Sequence, residues 1–326
     1  MTGILFNTML ITGCGGDIPL ALARIARQEG VCQTLLGSDI HEDHPGLAHC
    51  DQCFVYPRID APDYFEKLGG FVRNHQVDAI VVGSEPELRG FFEHGIDREF
   101  EGVPVIMANR EALRVGLDKL ETARMLQSSG LPNPWTQVVK EGTPPTLPCI
   151  LKSRSGCGSK AIAIIRDAAQ AEEARRTRPE DIFQEYVGTD NDEYTCGLYR
   201  SCIGEIRILT LRRKLQGGYT SRGEVVRDEQ IEALLQRIAR KLDLLGSINV
   251  QLRMTSRGPV VFEINPRFSS TVMFRHKLGF PDFVWSLQER AGREPGPFAA
   301  PPQGIKFYRT SAEVFLKKGS SIQDSI

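Results

Sequence analysis

The chain has 326 residues, with 40 Lys plus Arg against 41 Asp plus Glu and a formal net charge of -1. That length allows about two or three domains with a substantial core, and the balanced charge argues against a general nucleic-acid or anionic-membrane binder while leaving room for a local basic cleft. No apolar run reaches membrane-span length, the apolar start "ILFNTMLITG" lacks a basic leader, and eight scattered cysteines do not form the dense framework of a small secreted domain, so a cytoplasmic protein with reduced thiols is expected.

The first third alternates strand and helix. "ILFNTMLITG" is an apolar strand, "GCGGDIPLALARIARQEG" is a glycine turn followed by a helix with Ile18, Ala21, Leu22 and Ile25 on one side, and "VCQTLLGSD" is a second strand. "VDAIVVGSEPE" reads as a strand ending in an acidic loop, and "VPVIMA" as a further strand. This βαβ pattern predicts a parallel sheet with ligand-accessible loops at the carboxyl ends of its strands. Gly13, Gly15 and Gly16 do not make the GxGxxG fingerprint, because Ile18 stands at the third glycine position; the turn is read as helix–sheet packing or a substrate-side loop, although Asp39 is placed where an acid can hold a ribose. The segment from His49 to Cys53 holds a CxxC with His41 and His44 nearby. Without a second pair it is weak evidence for a metal, and these thiols are read as structural, with no metal or catalytic role.

From residue 114 the texture changes. Asp118 is an N-cap with Glu121 three residues on, and Gly130 followed by Pro132 and Pro134 closes the helix between them. The strand "LPCILKS" then runs into "RSGCGSK" and a second apolar strand, "AIAII". A Walker P-loop requires GxxxxGK[ST] between strand and helix, and neither the motif nor the helix is here; what remains is a strand–loop–strand flap over phosphates or an ordinary hairpin turn. In "IFQEYVGTDNDEYTCGLY" an apolar-flanked segment precedes an acidic loop and a strand carrying Glu193. Arg212, Arg213 and Lys214 form a basic stretch that suits a substrate carboxylate, the phosphates or a solvated strand edge. "DEQIEALLQRIARKLDLLG" is an amphipathic scaffold helix capped by Asp228.

The last informative segment pairs "SINVQLRM" with "VVFEINPRF" through a three-residue loop, Ser256 to Gly258, in which glycine supplies the left-handed conformation. Strand alternation then buries Phe262 and Ile264 and brings Asn249, Gln251, Glu263 and Asn265 to one face, with Gln251 opposite Glu263 and Asn249 opposite Asn265. Oxygen ligands of this kind suit magnesium shared with substrate phosphates.

Taken in order, "DKLETARMLQSSGLPNP", "ILKSRSGCGSKAI", "FQEYVGTDNDEYT" and "SINVQLRMTSRGPVVFEINPRFS" resemble the ATP-grasp superfamily over roughly residues 114 to 270, and within it the carbamoyl-phosphate synthetase large subunit and its single-module relatives. The resemblance implies a mixed α/β and α+β chain: a Rossmann-like pre-ATP-grasp domain over 1–113, then an ATP-grasp domain over 114–326, with a lid subdomain at about 135–187 and a C-terminal subdomain at about 188–326. It implies that Lys119 and Lys152 contact the ATP phosphates, that the loop from Ser153 to Lys160, with Gly156 and Gly158, is the phosphate lid, that Gln184, Glu185, Tyr186 and Val187 form the adenine hinge, and that Glu193 holds the ribose. Gln251, Glu263 and Asn265 would be ligands of magnesium, or of manganese in its place, and Arg267 would face the transferring phosphoryl group. Gln251 is a neutral amide where many relatives carry a carboxylate, which weakens one metal position.

The implied activity is an ATP-dependent carboxylate–amine ligase acting through an acyl phosphate on small-molecule substrates, without nucleic acid or membrane and with a homodimer left open. Two other readings stay open. One is a carbamate-type or small-acid phosphorylating subunit that works with a partner protein; the other is a non-catalytic nucleotide-binding regulatory module. Ser84 to Glu87 is a candidate face for the amine.

Overall fold

A computed structural model describes residues 3–156, 162–189 and 192–310. Three sheets succeed one another along these residues. The first is formed by β1 (Phe6–Thr12), β2 (Cys32–Asp39), β3 (Gln52–Val55), β4 (Ala79–Val81), β5 (Glu99–Phe100) and β6 (Val103–Ile106), in the order β3-β2-β1-β4-β6-β5. Only the short β5–β6 pair is antiparallel. Helices α1 (Asp17–Glu29), α2 (Tyr64–Asn74) and α3 (Glu85–Glu93) supply crossovers. Met9, Leu10 and Ile11 are all buried, as the continuous apolar run requires of a strand covered on both faces.

Helix α3 corrects the expectation of an acidic loop after β4. The Ser84 hydroxyl accepts from the Glu87 amide, Pro86 sits in the first turn, and Glu85 and Glu87 face the positive end of the helix. Those capping signals turn an acidic stretch into a helix start.

Helices α4 (Arg110–Gly116) and α5 (Lys119–Ser128) lead to the second sheet, made of β7 (Thr136–Val138), β8 (Cys149–Lys152), β9 (Ala163–Ile165) and β10 (Ile182–Glu185) in the order β7-β10-β8-β9. Helix α6 (Ala168–Thr177) covers it, packing Ala171 and Ala174 with Cys149, Leu151, Ile165 and Phe183. Strands β8 and β9 are antiparallel, with Cys149 opposite Ile165, so the described elements on either side of the glycine-rich segment are both strands.

The third sheet is antiparallel throughout, in the order β15-β14-β11-β12-β13-β16. Its strands are β11 (Glu193–Arg200), β12 (Ile206–Gln216), β13 (Tyr219–Val226), β14 (Gly246–Thr255), β15 (Gly258–Asn265) and β16 (Lys306–Tyr308). Helix α7 (Glu229–Lys241) presses Ile231, Leu234, Leu235 and Ile238 onto Leu198, Ile248, Val250, Leu252, Val261 and Ile264. With one face closed in this way, alternation sends the remaining side chains of β11, β12, β14 and β15 to the other face. Helices α8 (Val272–Lys277) and α9 (Asp282–Arg290) place Val272 and Phe283 in one core with Ile11, Ile25 and Val81, which joins the third sheet to the first.

Candidate active site

The β14–β15 hairpin reaches the expected register by an unexpected route. Thr255 pairs with Gly258, so the loop has two central residues, Ser256 and Arg257, rather than three, and Gly258 has a φ of 88°. A register shift between Leu252 and Gln251 inserts Phe262 as an unpaired residue, and the ladder resumes with Gln251 opposite Glu263 and Asn249 opposite Asn265. Two residues then oppose one, and alternation slips by a position. Val261 and Ile264 therefore fill the core, whereas Phe262, expected to be buried, lies half-buried with Lys152 Nζ and Arg253 Cζ each 5.8 Å from its ring centre.

Around Glu263 the cations gather. Lys119 opens α5, whose N-cap Asp118 accepts from the Leu120 amide and pairs with Arg154 at 2.7 Å. Lys119 Nζ stands 4.0 Å from Glu263 Oε1 and donates to the Gly156 carbonyl at 2.8 Å. Lys152, the last residue of β8, is buried and donates to the Phe262 carbonyl at 3.3 Å. Burial pulls its ammonium down to about 8, against the raising effect of Glu263 and with help from Lys119. For Glu263 the opposing influences resolve the other way: burial favours the neutral acid, but Lys119, Lys152, Arg267 and Arg213 together hold the carboxyl below its ordinary range.

Glu193 begins β11 directly across from Arg253 on β14. Its two oxygens are divided between guanidiniums, Oε1 accepting from Arg213 at 2.8 Å and Oε2 from Arg253 at 2.9 Å. Arg213 also donates to Gln251 Oε1 at 2.9 Å, and Arg253 to the Val187 carbonyl at 3.1 Å. Gln184 and Glu185 are paired within the second sheet, while Tyr186 and Val187 follow the end of β10. The Gln184 amide donates to Thr136 Oγ1 at 3.1 Å, and Glu185 pairs with Arg257 at 2.7 Å. Tyr186 is exposed, with Arg253 Cζ 5.8 Å from its ring centre.

Arg267 links the third sheet to the first. It donates to Asn265 Oδ1 at 3.1 Å and to Glu85 Oε2 at 3.3 Å. Glu87, in the same acidic stretch, takes another path: it accepts from Thr12, Tyr64 and Ser84, and its burial pushes the carboxyl upward against those hydrogen bonds. The basic stretch divides likewise. Arg213 turns inward to Glu193, while Arg212 pairs with Glu224 on the more open side.

Lys119, Lys152, Gln251, Glu263, Asn265 and Arg267 thus surround one face of the hairpin, with Glu193 reached through Arg213. Ser153 lies at the base of the glycine loop, but its hydroxyl bonds to Asp181 at 3.3 Å, and Gly156 has a φ of 92°. Gly158 and Lys160 lie outside the described residues. Sequence reasoning missed Arg253 and did not single out Arg213 or Glu85. Arg253 was readable as the next same-face residue after Asn249 and Gln251, but its partner Glu193 lies on a strand distant in sequence. Chemically, the cluster offers a ring of donors for a polyanion around one ionised carboxylate flanked by two amides.

A family model for an ATP-grasp domain matches residues 117–271, and one for a PylC-like N-terminal domain matches residues 9–106. A D-alanine–D-alanine ligase of Mycobacterium sp. (strain KMS) is 28% identical over 214 residues, covering 54% of this chain and 57% of that protein. A carbamoyl-phosphate synthase of Methanobrevibacter smithii is 31% identical over 147 residues, covering 42% of this chain and 38% of that protein. The chain therefore spans little more than half the length of the ligase it matches. Among solved structures, the ADP complex of an N5-carboxyaminoimidazole ribonucleotide synthetase superposes with a TM-score of 0.73 at 18% identity, covering 92% of this chain and 81% of the other, a likeness of fold.

Proposed function

The chain belongs to the ATP-grasp superfamily, and from that premise we propose that it is an ATP-dependent ligase joining a carboxylate to an amine, with release of ADP and phosphate. The observation that carries this reading is the charge of the cluster. Among the described residues, five cationic side chains, Lys119, Lys152, Arg213, Arg253 and Arg267, gather with three carboxylates, Glu85, Glu193 and Glu263, so cations outnumber carboxylates. A nucleotide triphosphate complements that excess.

In this proposal Lys119 and Lys152 take the phosphates, with Ser153, Gly156 and Gly158 in the loop that covers them. Gln184 to Val187 border the base, and Glu193 accepts the ribose hydroxyls once Arg253 or Arg213 releases an oxygen. The all-oxygen set of Gln251, Glu263 and Asn265 fits a hard divalent cation, because Glu263 is held ionised and the two amides add neutral oxygens. Magnesium, or manganese in its place, would there draw charge from the phosphate oxygens.

A substrate carboxylate oxygen attacks the γ-phosphorus as the bond to ADP breaks, and the amine nitrogen then attacks the acyl carbon and expels phosphate. Arg267, fixed between Asn265 and Glu85, supplies donors to the charge that builds on the transferring group. The domain division at 113/114, a homodimer and a cytoplasmic location belong to the same proposal. Among the described residues, no helix is long and apolar enough to cross a membrane.

The test is an ADP-release screen with magnesium over paired acids and amines, beginning with amino acids because D-alanine–D-alanine ligases match the chain. The expected result is ADP release that needs both substrates, with the amide identified by mass. Nucleotide binding without ADP release from any pair would favour the regulatory module.

A further inference from the structure

We propose that Cys14, Cys50 and Cys53 form a zinc site at the carboxyl edge of the parallel sheet, with His44 as the fourth ligand. This inference is independent of the ligase reading. The sequence offers one CxxC and no second pair; the fold supplies the missing thiol. Cys14 stands in the turn after β1, its amide donating to the Ser38 carbonyl at 2.9 Å. Cys50 closes the turn that begins near Pro45, its amide donating to the Gly46 carbonyl at 3.1 Å. Cys53 lies on β3, in register with Gly37 of β2. The three sulfurs all lie within 4.8 Å of one another.

Two further features suit an ion rather than a chance meeting of thiols. A β-carbon at Gly37 would stand 2.8 Å from Cys14 Sγ, 2.8 Å from Cys50 Sγ and 3.1 Å from Cys53 Sγ, so the sulfurs close over a strand position that tolerates no side chain. His44 is buried, and its ring nitrogens lie 3.8 and 3.9 Å from Cys14 Sγ. In a tetrahedral zinc site with bonds of about 2.3 Å to sulfur and about 2.0 Å to nitrogen, ligand atoms are separated by roughly 3.5–3.8 Å. The three sulfurs already lie together, whereas His44, which touches Cys14 but has no nitrogen within 4.8 Å of all three, has to turn toward Cys50 and Cys53 as the ion binds. Asp39 steadies the surrounding turns, accepting from the Gly15 amide at 2.9 Å and the His41 amide at 3.1 Å.

A disulfide would consume two of the three sulfurs and leave the third against it. Zinc uses all three as thiolates and releases their protons on binding. Three thiolates and an imidazole make a closed structural site, which would tie the β1 turn, the Cys50 turn and β3 together.

The test begins with the full chain, purified under reducing conditions and stripped of metal. Titration with zinc against a chromogenic chelator is expected to show stoichiometric uptake and a rise in melting temperature. Cobalt in place of zinc is expected to give a thiolate-to-cobalt charge-transfer band and tetrahedral d–d bands, a readout that needs no variant. Cys14→Ser and Cys53→Ser are each expected to abolish stoichiometric uptake, and His44→Ala to weaken it, whereas Cys196→Ser, on β11, leaves it unchanged. Absence of uptake with all thiols shown reduced, a disulfide among the three in the native protein by intact mass, or unchanged uptake in a folded Cys14→Ser variant would overturn the proposal.

Discussion

On the antiparallel β11–β16 sheet, α7 closes one face, and the other carries Asn249, Gln251, Glu263 and Arg213 on neighbouring strands. In the mostly parallel β1–β6 sheet both faces are covered, so polar groups collect at the strand ends and the turns and helix starts beyond them, as Cys14, Asp39, His44 and Glu87 do. The contrast teaches where precision comes from in each half. A ladder aligns its side chains through register, and one slipped residue moves every group to the wrong face. Loops carry no such register, and their groups meet only if turns, caps and buried contacts fix them individually.

The largest expected break lies on the ladder side. Glu263→Gln keeps the shape of the strand but removes the one full negative charge offered to a cation, and ADP formation is expected to fall by on the order of a hundredfold or more. Turnover at the parent rate across a magnesium titration would show that the hairpin face is scaffold. Arg267→Ala is expected to lower turnover by roughly a hundredfold, from loss of about 3 kcal/mol of transition-state stabilisation, with ATP affinity nearly unchanged. A change confined to affinity would instead place Arg267 on the bound nucleotide.

On the loop side the expected effect is on stability. Gly37→Ala would push a methyl group against three sulfurs, and overpacking of this kind costs about 1–3 kcal/mol, read as a lowered denaturation midpoint with little change in ATP turnover. An unaltered midpoint would mean that the turns around Cys14 and Cys50 yield freely.

The smallest effect sharpens the comparison through pH. Lys152 titrates at about 8 in the folded protein against an ordinary value of 10.5. Between those values the unfolded chain binds the proton that the folded chain has lost, so this residue's contribution to stability rises with pH. ATP affinity moves oppositely, falling by up to about tenfold per pH unit above the folded value, because the phosphates need the cation. Nucleotide titration and melting curves for the parent and Lys152→Met between about pH 7 and pH 10 check both signs; an affinity profile identical in the two proteins would remove Lys152 from the phosphates.

How much was legible follows from the same contrast. Gln251, Glu263 and Asn265 were readable because two-residue periodicity in one hairpin lines them up with no knowledge of the rest of the fold. Phe262 was misplaced because a bulge adds a residue without a local signal in the apolar run. Arg253 escaped because its meaning depends on Glu193, whose strand becomes its neighbour only when the sheet assembles. The α3 start was overlooked although Ser84, Pro86 and Glu87 spell out its cap, because the acids were read as a loop facing the amine. Cys14 had no visible relation to the CxxC until β1, β2 and β3 lay side by side.

The division of Glu193 between Arg213 and Arg253 has a consequence for solution behaviour. A cleft lined with unpaired cations attracts ATP steeply at low ionic strength and loses it as salt screens the charge. Here the guanidiniums nearest Val187 already hold a carboxylate, so a nucleotide that reaches Glu193 would exchange one set of ion pairs for another, and screening weakens both sides of that exchange. Salt should therefore reduce ATP affinity less than the number of surrounding arginines suggests, and the part that remains salt-sensitive belongs to Lys119 and Lys152.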